Sequence, residues 1–166
     1  MLNYNEKLEK ELDGYFKVLY RYDMELTSPN IVLNNLLDAY NKTNYPGIYY
    51  RIGNLYEYGY FKKLKEDKSI HYYKLAAKER YVPAMNHLAE FGLREFKNYG
   101  FEYAKWAKAS ALDYDDSYGK YLLARYSLLD AILTKNEYQM KNGLQLMKES
   151  ANQGNGEAQD FLKIWR

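Results

Sequence analysis

Apolar residues return every three to four positions along this chain, the spacing of one face of an α-helix. In "EKLEKELDGYFKVLYRYDMEL", Leu8, Leu12, Tyr15, Phe16, Leu19 and Tyr22 share such a face. "SPNIVLNNLLDAYNK" predicts a second helix: Ser28 stands as N-cap and Pro29 at the first helical position, ahead of Val32, Leu33, Leu36, Leu37 and Tyr40. Pro46-Gly47 then breaks the chain before a further helix. Alternating runs of Val, Ile and Thr are missing, and Asn142-Gly143 sits inside a helical pattern rather than between apolar runs, so no strand is predicted.

A second, longer period overlies the first. Three pairs of small residues, Ala76-Ala77, Ser110-Ala111 and Ser150-Ala151, each precede a new apolar helix start by seven residues, at Ala84, Tyr118 and Ala158. With Ile48 these starts are 36, 34 and 40 residues apart, periods that predict a solenoid of two-helix units. Each start is followed four residues later by an aliphatic: Ile52, Leu88, Leu122 and Leu162. The second helix of each unit carries a large residue ahead of its small pair, namely Tyr72, Trp106 and Leu146. Small side chains let one helix lie close against the next, and the aliphatic fills the groove between them. A constant separation keeps the turn constant.

These residues resemble the Sel1-like repeat family, a relative of the tetratricopeptide repeat. The resemblance is carried by "IGNLYEYG" (Ile52, Gly53, Tyr56, Gly59), "YYKLAAKE" (Tyr72, Tyr73, Ala76, Ala77) and "ESANQGNGEAQDFL" (Ala151, Gly154, Asn155, Ala158, Leu162). It departs from the family pattern at Ala89 and Leu123, where glycine is expected, and at Gly92, where tyrosine is expected. The segment "SLLDAILTKNEYQ" is apolar where the family has a glycine-rich loop, which implies a lengthened or more deeply packed hairpin. The resemblance implies an all-α, right-handed α-solenoid of antiparallel helix pairs forming a single domain, residues 1–166. Its parts are a diverged N-terminal helix pair (1–46), repeats at 47–83, 84–117 and 118–157, and a C-terminal half-repeat (158–166). That last segment, with Phe161, Leu162, Ile164 and Trp165, reads as a capping helix rather than a dimer seam.

The resemblance further implies that function lies on the concave face formed by the first helix of each unit. The positions it assigns to that face are Tyr50, Asn54, Glu57 and Tyr58, then Asn86, Glu90, Leu93 and Arg94, then Lys120, Ala124, Ser127 and Leu128. The expected occupant is another protein or a peptide, bound without catalysis and without a cofactor. An alternative within the same class is a bacterial immunity protein that neutralises a partner toxin. A less favoured reading is an enzyme or a nucleic-acid binder.

Composition narrows this only in places. A net charge of +2 is too small to argue for nucleic acid or an anionic membrane as partner. The absence of cysteine excludes disulfides and thiolate metal sites and suits a reducing compartment. No signal peptide and no apolar run of spanning length is evident, so a cytoplasmic protein, monomeric or weakly dimeric, is expected. Tyrosine is abundant, 21 of 166 residues, as in chains from low-GC genomes, though its amphipathic ring also suits interfaces.

Four groups carry side chains capable of chemistry. His71 and His87 lie 16 residues apart with no partner at metal-ligand spacing. The basic run Lys62, Lys63, Lys65 and Lys68 is interrupted by Glu66 and Asp67 and reads as a solvated loop. Asp113, Asp115 and Asp116 lack the glycine and distal glutamate of a calcium loop and read as helix-capping residues. Glu9 and Asp13 read as an ordinary exposed helical face among lysines.

Overall fold

Ten helices account for the described part of the chain in a computed structural model, which describes residues 6–21, 28–60 and 66–165, the side chains at 15–21 and 66–67 excepted. They are α1 (Glu6–Arg21), α2 (Pro29–Thr43), α3 (Gly47–Glu57), α4 (Glu66–Lys78), α5 (Val82–Arg94), α6 (Phe96–Tyr99), α7 (Ala104–Asp113), α8 (Ser117–Thr134), α9 (Glu137–Asn152) and α10 (Gly156–Ile164). No strand occurs among the described residues, and none of their helices is long and apolar enough to cross a membrane. The backbone packs as two units, 1–84 and 85–166. The positions Tyr15, Phe16, Leu19 and Tyr22 and the lysines at 62, 63 and 65 fall outside the described side chains.

Helices that follow one another in sequence pack together: α2 on α3 and α3 on α4 in the first unit, α7 on α8, α8 on α9 and α9 on α10 in the second. The expected starts fall within two residues of α3, α5, α8 and α10, whose first residues Gly47, Val82, Ser117 and Gly156 are 35, 35 and 39 residues apart. Every member of the three small pairs is buried, with Ala76 and Ser110 at 0% and Ser150 at 0% exposure.

The three turns after these pairs share one construction. The amide of Tyr81 donates to the Ala76 carbonyl (3.1 Å) and that of Asn155 to the Ser150 carbonyl (3.1 Å), each just past a residue of positive φ, Arg80 (66°) and Gly154 (92°). The amides of Arg80 and Gly154 themselves donate to Ala77 and Ala151, which completes a Schellman turn in both places. The middle turn is one residue longer: Asp115 holds the positive φ (55°) and the amide of Asp116 reaches the Ser110 carbonyl (3.2 Å). A closed hydrogen-bonded turn of nearly fixed length is the physical content of the seven-residue spacing.

Caps also follow the sequence. Asp116 accepts from the Gly119 amide (2.7 Å) and Asn155 from the Ala158 amide (2.8 Å), each closing the first turn of its helix. Ser28 precedes α2 as expected, with Pro29 in its first turn, but its side chain makes no capping bond. The apolar stretch after Ser127 is not a loop. It extends α8 to 18 residues, against 11 in α3 and 13 in α5, and the connection shrinks to Lys135 and Asn136.

Gly14 lies inside α1 with nothing within 4 Å of where a Cβ would stand. Gly14→Ala should therefore stabilise the chain by about 0.5–1 kcal/mol, through helix propensity alone. Urea unfolding checks this, and a loss of stability would mean the site is not an open helical position.

Candidate functional site

In the first unit, α3 brings four of the expected positions together. Tyr50, Asn54, Glu57 and Tyr58 recur at three- and four-residue steps, which puts them on one side of the helix. Behind them stands Tyr73 of α4, fully buried, because Gly53 leaves room for its ring: a Cβ at Gly53 would lie 2.5 Å from Tyr73 Cε1. The Tyr73 hydroxyl lies 2.6 Å from Glu57 Oε2, to which it donates, and 2.8 Å from the Asn54 side-chain amide, so both groups rest on it. Burial, and then the bond to the Glu57 carboxylate, push the Tyr73 phenol well above its ordinary value, so it stays protonated and can donate to Glu57.

Tyr50 is half-buried, its ring centroid 5.5 Å from those of both Tyr73 and Tyr81. Tyr58 caps the end of α3 through its amide to the Asn54 carbonyl (2.9 Å) and leaves 67% of its surface exposed. An exposed amphipathic ring of this kind has the chemistry suited to contact with another protein.

The expected positions of the second unit divide. Glu90 and Arg94 are exposed, the Arg94 guanidinium 5.5 Å from the Phe91 ring centroid. Leu93 and Ser127 are half-buried. Asn86 is buried and donates to Asp116 (2.8 Å), which ties α5 to the cap of α8. Lys120 is buried and paired with Asp115. Ala124 and Leu128 do not face a groove; they lie in the core with Leu146, Met147, Ala151 and Ala158. The polar pair Asn86 and Lys120 is spent on internal bonds, and the apolar pair is sealed by α9.

The sequence reading missed one cluster outright. Glu9 is not on an exposed face. It is 7% exposed, accepting from the hydroxyls of Tyr45 (2.5 Å) and Tyr81 (2.6 Å) at Oε1 and from Arg51 (3.1 Å) at Oε2. Arg51 also pairs with Asp13. Burial is the largest influence on Glu9 and would raise its pKa. The hydrogen bonds from Tyr45, Tyr81 and Arg51, with the Arg51 charge, together outweigh it and hold the carboxyl below its ordinary 4.5. No local signal marks these partners, which lie 36, 72 and 42 residues away in the chain.

Among the described residues no three of His, Asp and Glu converge as a metal site would require. No family model, curated protein or solved structure matches the chain.

Proposed function

We propose that the chain is a non-catalytic interaction module of the Sel1-like kind, a right-handed helical solenoid that binds a partner protein or peptide on the first helices of its units. The observation that carries this reading is the α3 surface, where exposed Tyr58 follows Glu57 and lies one turn beyond Asn54, both held at the Tyr73 hydroxyl. The repeated turns after Ala76-Ala77 and Ser150-Ala151 support the repeat assignment, because the same backbone bonds recur at matching positions.

The test is affinity capture from the native host with wild type beside Tyr58→Ala and, separately, Arg94→Ala. Tyr50 is a poor probe, since it is wedged between Tyr73 and Tyr81 and its loss would unsettle the unit. One stoichiometric protein should be retained by wild type and weakened about tenfold or more by Tyr58→Ala, with an unchanged melting curve. A toxin as that partner would narrow the module to an immunity protein. Capture of no protein, or equal retention by both variants, overturns the reading.

A further inference from the structure

The α8–α9 hairpin ends in a surface that the repeat pattern does not call for. The last turns of α8 and the first turns of α9 border an open cavity of about 420 Å³ lined by Ala131, Lys135, Asn136, Glu137, Met140, Lys141 and Leu144. Met140 and Leu144 are half-buried and rest on the core beneath, so the floor is apolar and firmly backed. Beside it in the chain, Ile132 and Leu133 are each 60% exposed and Tyr138 is 76% exposed. Large apolar side chains gathered in one short stretch mark contact surfaces rather than scattered exposure.

We propose that this hairpin end is a docking site for an acidic amphipathic helix of a partner protein, an inference that rests on the reading of the chain as an interaction module. Two features select this occupant. The cavity is open and its lining largely apolar, and exposed Ile132, Leu133 and Tyr138 stand next to its lining residues in the chain, which suits a helix laid across the hairpin end. The rim carries Lys135 and Lys141 against Glu137 alone, and Glu137 sits in the first turn of α9, where the helix dipole already answers its charge. Lys135 occupies a left-handed position (φ 53°) that glycine would fill with less strain, so a cation is held at the rim at some backbone cost.

The test uses two fluorescein-labelled helical peptides of the same apolar pattern, one of leucine and glutamate, one of leucine and lysine, read by anisotropy against the full chain. The acidic helix should bind about tenfold more tightly than the basic one, Lys135→Glu/Lys141→Glu should reverse that order, and Ile132→Asp should lose about tenfold. Both substitutions fall on exposed side chains, and circular dichroism verifies the fold. Tyr58→Ala should leave the peptide affinity unchanged. The proposal is overturned if neither peptide binds, if both bind alike, or if binding follows Tyr58 instead. It is equally overturned if dodecanoate fills the cavity while the acidic helix does not bind, or if Ile132→Asp dissolves a self-associated form in sedimentation. Binding that follows Tyr58 would point back to α3; the other results leave the α3 reading untouched, and it stands or falls on the capture experiment.

Discussion

Replacing Glu9 with alanine should cost about 3–5 kcal/mol of folding stability, because it strips one partner from a buried charged network. Arg51 would lose one of the two carboxylates it pairs with, and the hydroxyls of Tyr45 and Tyr81 would lose their shared acceptor inside the first unit. Glu11→Ala, two residues on and exposed, should cost no more than about 0.5 kcal/mol. Urea unfolding at neutral pH separates the two, and a Glu9 cost below about 1 kcal/mol would show that the network is not an anchor. The same group sets a pH dependence. Its folded pKa lies below the ordinary 4.5, so the unfolded chain takes up the proton first as the solution is acidified. The stability it contributes is complete above 4.5 and drains away as pH falls through the lower, folded value. Glu9→Gln should lose less stability than alanine and flatten the unfolding profile in that acid window.

What the sequence disclosed and what it hid divide along the distance between interacting residues. The helices were legible because their signals are local: Leu36 follows Val32 by four residues and both are buried in α2. The small pairs were legible as packing positions because Ala76-Ala77, Ser110-Ala111 and Ser150-Ala151 recur at one spacing ahead of a helix start, and all six are buried. The Glu9 network was not, since a carboxylate near lysines on a helix looks solvated until Tyr45, Arg51 and Tyr81 are folded onto it. Lys120 misled in the same way: five residues from Asp115, it reads as surface, yet its stem is buried and its charge answered internally. Ala124 and Leu128 were assigned to a face by the geometry of the resembled family, whereas in α8 both pack into the core against α9.

Gly119→Val should be the most damaging single-residue enlargement, costing about 3 kcal/mol. Gly119 lies in the first turn of α8, and a Cβ there would stand 2.7 Å from Ser110 Cβ and 2.8 Å from the Ala111 backbone nitrogen, besides striking Ser110 Oγ. Ser110 and Ala111 are themselves buried, and a backbone atom cannot swing aside as a side-chain tip can, so α7 and α8 must separate. Gly156→Ala is the matched control: it too opens a helix, but nothing lies within 4 Å, and it should be neutral or gain about 0.5 kcal/mol. The cause can be isolated with a double-mutant cycle of Gly119→Ala and Ser110→Gly, in which space returned at Ser110 should recover about 1 kcal/mol of the loss. Recovery would be partial, since the Ala111 backbone stays in place and Asp116 loses its contact with the Ser110 hydroxyl. Strict additivity of the two costs would mean that close approach at the small pair is not what brings these helices together.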